Sequence, residues 1–380
     1  MSRHTRTRKA RGASRVGQQF EAEVGPAAHG GHFVVRLPEP ESRVVFTRHG
    51  LPGERVIVEI TEGTDGDRFW RGDVVEVLSP SADRVEAPCP VAGPGLCGGC
   101  DFQHVALPAQ RDLKATIVRE QLVRIAKFDP EHPLVAGLTV EAVAGDVDGL
   151  RWRTRTRFVP RGGGAKGMHK HRSREVVPVE DCLIAATEGP SYEVLGHPFQ
   201  VADDGFWQVH PGAPETLVRT VLDLLAPQPG ESVLDLYAGV GLFARFLGEA
   251  VGKGARVVAV EGHAAAARMA RTNLAGVART KVAAGDVATV LREEYDEPFD
   301  LVVLDPPREG AKRAVVEQVV DRAPRAVAYV ACDPAALARD VAIFAEHGYA
   351  LTALRGFDLF PMTHHVECVA LLTKNGAARH

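Results

Sequence analysis

The chain has 380 residues, of which 45% are hydrophobic and 25% are charged, with 38 Gly and 25 Pro. This ordinary globular composition and the length predict two or three domains. No stretch approaches the ~18 uncharged apolar residues of a membrane span, and no apolar segment follows the basic N-terminus, so we expect neither a membrane protein nor a secretory signal. Six cysteines in so long a chain favour metal binding or catalysis in a reducing cytoplasm over a disulfide scaffold.

The net charge of -4 argues against a nucleic-acid partner, but the distribution of charge argues for one. Residues 1–16 contain six Arg or Lys and no acid, and residues 151–174 contain nine and no acid. Local basic patches, rather than the overall charge, attract a phosphate backbone. We interpret residues 1–16 as a basic disordered tail.

Residues 17–79 read as short strands separated by Gly or Pro clusters. Five strands in so short a segment predict a small barrel of the OB type, which often binds nucleic acid through one face. The turn Leu51-Pro52-Gly53-Glu54 before a Val/Ile strand resembles the TRAM domain of RNA-modifying enzymes. The predicted strands are Phe20–Val24, Phe33–Leu37, Arg43–Thr47, Arg55–Ile60 and Phe69–Val77.

Residues 80–206 are predicted to form a middle α+β region. It begins with a cysteine-rich loop and continues with an amphipathic helix over Gln110–Phe128. Segments 151–159 and 174–179 have the composition of strands.

Residues 207–380 alternate between buried-strand and helical patterns, which predicts a mostly parallel, doubly wound α/β sheet. The predicted strands are Val233–Tyr237, Arg256–Glu261, Asp300–Asp305 and Ala326–Cys332, followed by His365–Leu372. Helices are expected over Ala264–Leu274 and Ala335–Glu346.

A cofactor cleft is indicated by a Gly-x-Gly turn, Gly239 to Gly241, between the first of these strands and a helix. The third glycine of a dinucleotide fingerprint is absent. Glu261 ends the next strand, where an acid can bind ribose hydroxyls. An Asp before the turn together with this acid resembles the S-adenosylmethionine methyltransferase version of the fold, with NAD as the alternative ligand. Asp286 is expected near the adenine or, alternatively, as a helix N-cap.

Three reacting groups are expected at one edge of the sheet. Cys332 and Asp305 both fall at the carboxyl ends of predicted strands, where ligands of open α/β sheets bind. A thiolate that adds to carbon 6 of uracil makes carbon 5 nucleophilic enough to attack a methyl group. A base must then remove the proton on carbon 5, and Glu367 is the candidate. Cys368 points to the other face of its strand and is interpreted as a core residue.

The motifs around Cys332, Asp305-Pro306-Pro307-Arg308-Glu309-Gly310 and Phe360-Pro361 to Glu367 resemble the RNA uracil-C5 methyltransferase family. The resemblance runs from about residue 17 to the C-terminus and implies a Rossmann-like class I methyltransferase domain behind an N-terminal TRAM barrel. It implies that Cys332 is the nucleophile, Glu367 the base and Asp305 a contact to the target base. It also implies that S-adenosylmethionine binds Gln208, Tyr237, Gly239, Gly241, Glu261, Asp286 and Asp305.

The chain departs from the family pattern at four positions. Asp333 replaces the usual Asn after the nucleophile, and its charge is expected to raise the thiol pKa. His210 replaces Asn, Ala238 replaces Cys, and Leu242 replaces a small polar residue. None of these changes removes a reacting group.

Four thiols suggest a metal site, since four thiolates suit tetrahedral zinc or an iron–sulfur cluster. Several family members carry a [4Fe-4S] cluster on this pattern, so the resemblance implies [4Fe-4S], with zinc as the alternative. The expected ligands are Cys89, Cys97, Cys100 and Cys182.

An RNA-binding stripe is predicted where arginines alternate with other residues, because alternate residues of a strand share one face. Such a stripe suits phosphate or base contacts. Its members are Arg151, Arg153, Arg155 and Arg157.

Three other functions are alternatives. An adenine amino-methyltransferase needs no thiol, a cytosine-C5 enzyme carries its thiol in another motif, and a non-catalytic RNA-binding factor would use only the barrel and the basic stripe. By analogy with the family, the barrel and the cysteines favour rRNA, specifically 23S rRNA, over tRNA as substrate. A cytoplasmic monomer is expected.

Overall fold

The structure, a computed structural model, describes residues 12–277 and 279–374. Most of the predicted basic tail therefore lies outside the described residues, and Ser14 within it forms an isolated bridge with Thr64. Among the described residues, no helix is both long and apolar enough to cross a bilayer.

The described residues form 18 strands, eight α-helices and one 3-10 helix, which is Gly162–Gly164. The strands are β1 (Gln19–Ala28), β2 (His32–Arg36), β3 (Val44–Arg48), β4 (Arg55–Glu62), β5 (Phe69–Ser79), β6 (Val140–Glu141), β7 (Val159–Pro160), β8 (Lys166–His169), β9 (Val176–Pro178), β10 (Glu193–Val194), β11 (His197–Pro198), β12 (Val233–Leu236), β13 (Arg256–Glu261), β14 (Arg279–Ala284), β15 (Leu301–Leu304), β16 (Ala326–Ala331), β17 (Tyr349–Phe357) and β18 (Glu367–Lys374). The helices are α1 (Leu107–Arg124), α2 (Pro133–Ala136), α3 (Ala213–Leu225), α4 (Leu242–Val251), α5 (Ala264–Asn273), α6 (Val287–Glu294), α7 (Lys312–Asp321) and α8 (Pro334–Glu346).

The chain divides into two compact units. The barrel unit comprises residues 12–113, 157–183 and 361–364, and the sheet unit comprises residues 114–156, 184–360 and 365–374. The segment 80–206, predicted as one middle region, contributes to both units.

The barrel unit contains the predicted five-stranded barrel, closed in the order β1-β2-β3-β5-β4. Alternation along each strand sends every second side chain inward. In β4, Val56, Val58 and Ile60 are fully buried while their neighbours are accessible. The turn before β4 is held by Glu54, whose buried carboxylate accepts from the Leu51 N–H at 2.8 Å and pairs with Arg84 at 2.6 Å.

The sheet unit contains an eight-stranded sheet in the order β14-β13-β12-β15-β16-β18-β17-β6. The first five strands of this order are parallel, as predicted, and β18 runs antiparallel to both of its neighbours. Successive side chains of β12 enter different cores: Leu234 and Leu236 belong to one, and Val233 belongs to the other. The sheet is therefore covered on both faces, which explains its uninterrupted apolar strands.

The prediction of a strand over 151–159 is wrong. Only Val159–Pro160 is strand, and Arg153 forms an isolated bridge to Ala185. Arg151 has a φ of 57°, outside the extended region. The buried Trp152 stacks on His210 with ring centroids 6.1 Å apart, and tertiary packing of this kind overrides local strand preference.

Candidate active site

The turn after β12 follows the carboxyl end of a central parallel strand. Tyr237, Gly239 and Gly241 all have positive φ, at 62°, 56° and 88°. A Cβ placed on Gly239 would meet no atom within 4 Å, so the backbone there is open to a ligand. Asp235 fixes this turn to the start of α4, because its buried carboxylate accepts a hydrogen bond from the Ala244 N–H at 2.8 Å.

Glu261 fixes the same turn from the neighbouring strand β13. One carboxylate oxygen accepts from the Gly239 N–H at 2.8 Å, and the other accepts from the His263 N–H at 2.6 Å. The sequence predicted this acid as a ribose ligand; its lone pairs that do not face the backbone are available for that role.

Asp286 is the N-cap of α6, which was the alternative interpretation of this residue. Its Oδ1 accepts from the Thr289 N–H and from the Thr289 hydroxyl, each at 3.0 Å. Burial, together with the charges of Asp286 and Asp340, raises the pKa of Tyr237 to about 12. The charge of Asp286 therefore acts on Tyr237, which lies in the glycine turn. Gln208 is half-buried in the loop before α3.

Asp305 and Cys332 follow directly on β15 and β16, which are adjacent and parallel. The structure therefore brings both groups to one edge of the sheet, as their positions after strands predict. Burial and the charge of Glu261 raise the pKa of Asp305 to about 7.

The thiol of Cys332 is partly buried and lies in a negative environment. Burial, followed by the charges of Glu367 and Asp305, raises its pKa to about 12, whereas Arg308 opposes the shift. Asp333 adds a smaller upward effect in the direction expected from the sequence. The resting thiol is consequently protonated at neutral pH.

Glu367 begins β18 and pairs with Phe357. The carboxyl group is buried, and burial followed by the charge of Asp305 raises its pKa well above the usual range. A carboxylate with a raised pKa is a stronger base, which suits proton abstraction. Cys368, the next residue, is fully buried in a hydrophobic core, as predicted.

Arg308 and His365 form a pair. Both residues lie in the motifs that resemble the family, but no role was predicted for either of them. The guanidinium lies 3.2 Å from the imidazole Nε2. The positive charge of Arg308 lowers the pKa of the Cys332 thiol, against the effect of the neighbouring carboxyl groups. The pair can supply positive charge to an incoming phosphate or to a developing enolate.

Sequence reasoning missed Asp340 on α8. It is fully buried, and its carboxylate accepts from the Ala311 N–H at 2.8 Å and from the Lys312 N–H at 3.2 Å. These bonds hold the end of the loop that starts at Asp305. The available signal was Asp340 itself, which together with Arg339 interrupts the otherwise apolar run Ala335–Phe344.

His210, one of the departures from the family pattern, is buried. Its Nδ1 accepts from the Gly212 N–H at 3.1 Å, and burial lowers its pKa to about 4. It is therefore a neutral packing partner of Trp152. Ala238 and Leu242 are also buried.

The predicted arginine stripe is not formed as one face, because the segment is not a strand. The Arg155 guanidinium donates to the carbonyls of Gly205 and Asp203, and Arg151 donates to that of Ala185 at 3.4 Å. Arg157 belongs to the barrel unit, whereas the other three arginines belong to the sheet unit.

The four cysteines predicted as metal ligands all belong to the barrel unit, and none of them forms a disulfide bond in the part of the chain that the structure describes. Burial, with the charges of Cys182 and Cys97, raises the pKa of Cys100 to about 12, so these sulfurs are near one another. Gly99 N–H and the Gln103 amide donate to the sulfurs of Cys97 and Cys100 at 3.4 Å. Nevertheless, within residues 12–277 and 279–374 no three His, Cys, Asp or Glu side chains are arranged to hold a metal ion. The geometry does not support the predicted cluster.

Two relatives of the chain are named as RNA methyltransferases. It is 42% identical to an uncharacterized RNA methyltransferase of Streptomyces avermitilis over 94% of this chain and 98% of that one. It is 28% identical to the 23S rRNA (uracil(1939)-C(5))-methyltransferase of Shewanella sp. (strain ANA-3) over 90% and 93% of the two chains.

A similar fold occurs in the crystal structure of the Pyrococcus abyssi tRNA (uracil-54, C5)-methyltransferase in complex with S-adenosyl-L-homocysteine. The TM-score is 0.66 at 20% identity, over 93% of this chain and 100% of that one. The family model for tRNA (Uracil-5-)-methyltransferase matches residues 196–375, and that for the TRAM domain matches residues 13–75. Together with the active-site motifs, these relationships show that the chain is a TRAM-containing RNA methyltransferase that belongs to the RNA uracil-C5 methyltransferase family.

Proposed function

We propose that the protein transfers a methyl group from S-adenosylmethionine to carbon 5 of a uracil in 23S rRNA, through a covalent bond between Cys332 and carbon 6. The observation that carries the proposal is the register of three neighbouring strands. Asp305 and Cys332 follow the carboxyl ends of β15 and β16, and the antiparallel β18 begins at the same edge with Glu367, since its neighbour Cys368 pairs with Ala331. A nucleophile and two carboxyl groups at the expected ligand-binding edge are the groups that this reaction needs.

The chemistry follows from the roles of these groups. The Cys332 thiolate adds to carbon 6, and the electron pair displaced from the double bond forms an enolate. Carbon 5 then attacks the sulfonium methyl group, and S-adenosylhomocysteine leaves. Glu367 removes the proton from carbon 5, the double bond re-forms, and the carbon–sulfur bond breaks to return the thiolate.

The raised pKa of the resting thiol, about 12, fits an enzyme that is activated by its substrates. The sulfonium of S-adenosylmethionine is a cation, and a nearby positive charge lowers a thiol pKa. Arg308 acts in the same direction. Cys332 would therefore become nucleophilic only when S-adenosylmethionine is bound in the cleft, and this would protect the thiol from side reactions.

The cofactor residues are proposed from the turn after β12. Gly239 allows close approach of the backbone, and Glu261 would bind ribose hydroxyls. Gly241 would contribute its backbone to the site, and it must lack a side chain because a Cβ there would come within 2.9 Å of Leu274. Gln208, Tyr237 and Asp286 would complete the site, and Asp305 would lie at the junction of cofactor and target base. The open space above Gly239 supports this arrangement.

For the RNA, 23S rRNA is the first candidate and tRNA is the second. A relative that is similar over nearly the whole length is named for 23S rRNA, whereas the family model over residues 196–375 is named for tRNA. Among the proposed RNA contacts, Arg151 and Arg157 are exposed, while Arg153 and Arg155 are half-buried. The exposed pair suits phosphate contacts.

The reaction as proposed requires no metal. That Cys89, Cys97, Cys100 and Cys182 hold [4Fe-4S], or alternatively zinc, remains a prediction. Iron, acid-labile sulfide and zinc contents of protein purified without oxygen test it. About four iron and four sulfide atoms per chain would establish the [4Fe-4S] cluster. Stoichiometric zinc would instead establish the zinc site.

The test of the function is a covalent trap. Total cellular RNA that contains 5-fluorouridine is incubated with the protein and S-adenosylmethionine, and denaturant-stable protein–RNA adducts are separated. Fluorine on carbon 5 cannot leave as a proton, so the reaction stops at the adduct. Sequencing of the attached RNA distinguishes 23S rRNA from tRNA.

Two thiol variants give the matched control. Cys332→Ala should form no adduct and transfer no methyl group, whereas Cys368→Ala, with its thiol in the core, should form the adduct as the wild type does. An adduct that persists in Cys332→Ala would overturn the proposed nucleophile. A wild type that binds RNA without any adduct or methyl transfer would favour the non-catalytic binding function.

A further inference from the structure

Asn273, the last residue of α5, is a buried polar side chain outside the reacting groups. Its amide makes three hydrogen bonds to main-chain groups. Oδ1 accepts from the Gln200 N–H at 2.8 Å, and Nδ2 donates to the Gln200 carbonyl at 3.0 Å and to the Val240 carbonyl at 2.9 Å. An Asn side chain has two donors and one acceptor oxygen. Both ends of this amide are therefore committed to two separate segments of backbone.

The first of these segments is the turn after β12. Val240 lies between its two glycines, and the preceding residue, Gly239, donates its N–H to Glu261 at 2.8 Å. Two successive residues of the turn are thus held by side chains from different elements, Glu261 from β13 and Asn273 from α5. Tyr237, at the start of the turn, has a φ of 62°. A residue with a side chain keeps such a conformation only where surrounding groups hold it, so the shape of the turn depends on contacts of this kind.

The second segment begins at Gln200 and leads to Gln208, one of the proposed cofactor residues. Asn273 pairs with both backbone groups of Gln200, whose own side chain is exposed. Near the other end of the segment, the buried Trp207 donates from Nε1 to the Ser191 carbonyl at 3.1 Å. The backbone before Gln208 is therefore attached at two points, and Asn273 provides the one that also reaches the turn.

The end of α5 is itself held in place. Arg245 on α4 donates to the Asn273 carbonyl at 3.1 Å, and its guanidinium lies 3.0 Å from Nδ1 of His197. Leu274, the next residue after Asn273, packs so closely on the turn that a Cβ at Gly241 would come within 2.9 Å of it. The Asn273 amide thus projects from backbone that is fixed relative to the turn.

We propose that Asn273 is a positioning residue of the S-adenosylmethionine site, whose amide holds the turn at Val240 and the segment at Gln200 in one fixed arrangement. Gly239 belongs to the turn and Gln208 follows the segment, so the two parts of the chain that would bind the cofactor keep their spacing. The inference rests on the proposed function, because these cofactor residues belong to it. An amide suits the role because it offers donors and an acceptor together, whereas a carboxylate would repel the two carbonyls.

Asn273→Asp tests the inference with a side chain of the same shape. It places an oxygen where Nδ2 now donates to two carbonyls. We expect the Kd for S-adenosylmethionine, measured by calorimetric titration, to rise on the order of tenfold. KM for S-adenosylmethionine should rise with it, while kcat and KM for RNA change little, because Asn273 acts on the cofactor site. Equal Kd values for wild type and Asn273→Asp would overturn the inference.

Two control variants separate positioning from loss of structure. Gln200→Ala removes an exposed side chain at the same contact and keeps the backbone groups that Asn273 binds, so the Kd should not change. Ala267→Gly weakens the buried middle of α5 and leaves all three hydrogen bonds of Asn273 in place. It should lower Tm without raising the Kd. If Ala267→Gly raised the Kd as much as Asn273→Asp at a similar loss of Tm, Asn273 would have no role beyond the stability of α5.

Hydrogen exchange in the cofactor-free protein gives a second readout. Backbone amides of residues 237–241 should exchange faster in Asn273→Asp than in the wild type, and unchanged exchange would contradict the inference. If Asn273→Asp does not fold, Asn273→Ser replaces it, since its hydroxyl can donate to one of the two carbonyls. A wild type that binds no S-adenosylmethionine, with faster exchange in the variant, would refute the proposed cofactor site and leave the role of Asn273 in the turn standing. Tight binding by wild type and variant alike would do the reverse.

Discussion

The Tyr329 hydroxyl donates a 2.6 Å hydrogen bond to the Asp340 carboxylate, and both side chains are fully buried. The same hydroxyl accepts from the Ala311 N–H at 3.0 Å. Gly310, with a φ of 72°, packs so tightly that a Cβ would come within 2.6 Å of the Asp340 carboxylate. The strand before Cys332, helix α8 and the loop after Asp305 are thereby fixed to one another.

Asp340→Asn should loosen this loop. Both carboxylate oxygens now accept hydrogen bonds: Oδ2 accepts from the Ala311 and Lys312 N–H groups and the Tyr329 hydroxyl, and Oδ1 accepts from the Arg339 guanidinium at 2.9 Å. An amide has one acceptor oxygen, so its NH2 group would face donors on one side, and the free energy of unfolding should fall by about 2 kcal/mol. Because Asp305 and Arg308 lie on the loop, we expect kcat to fall on the order of tenfold while KM for S-adenosylmethionine changes little. Steady-state kinetics and thermal unfolding measure both.

The control for this prediction is Asp321→Asn, on the exposed end of α7. It should alter neither quantity. If Asp340→Asn destabilised the protein but left kcat intact at a temperature where it is folded, the role of Asp340 would be purely structural.

Asp333→Asn should make the active-site thiol more reactive. The Asp333 carboxylate caps α8 by accepting from the Ala336 N–H at 2.8 Å, and Asn caps helices equally well. The substitution removes one of the charges that raise the pKa of Cys332, so the alkylation rate should rise severalfold at pH 8. Mass spectrometry of peptide 326–339, in which Cys332 is the one thiol, measures the rate. An unchanged rate–pH profile would contradict the electrostatic account.

The sequence sufficed to place Cys332 and Asp305 near each other, because both follow buried strands and the carboxyl ends of parallel strands share an edge. It also sufficed for the barrel, since alternation over β4 is strict. Asp340 was missed because its role depends on which side of α8 meets the loop at Gly310. That contact is set by tertiary packing.

The arginine segment illustrates the opposite error. Alternation of Arg with Trp and Thr imitates a strand, but the side chain of Trp152 is buried against His210 and Phe360. These three residues are far apart in the chain, so no local pattern encodes the contacts between them.

Glu261→Gln should weaken cofactor binding. Both carboxylate oxygens now accept backbone N–H groups, and the amide would turn a donor towards one of them. The turn at Gly239 should lose its fixed position, and the Kd for S-adenosylmethionine should rise at least about tenfold. Calorimetric titration measures it.

Asp286→Asn is the comparison, because Asn keeps the helix cap and the substitution removes only the charge. A smaller rise in Kd is expected for it. Equal affinities of wild type and Glu261→Gln would show that the turn does not depend on Glu261.

The raised pKa of Asp305 makes stability depend on pH. Burial, together with the charge of Glu261, raises this pKa from 3.8 to about 7, so the folded protein keeps a proton that the unfolded chain loses as pH rises above 3.8. The stability contributed by the group is complete below that pH and is lost as pH rises through about 7. Asp305→Asn stays neutral throughout. Its Tm should therefore exceed that of the wild type by several degrees at pH 8 and by clearly less at pH 5. Thermal unfolding without cofactor gives the difference, and the exposed Asp321→Asn should show none. A Tm difference equal at the two pH values would mean that Asp305 is already ionised in the folded protein.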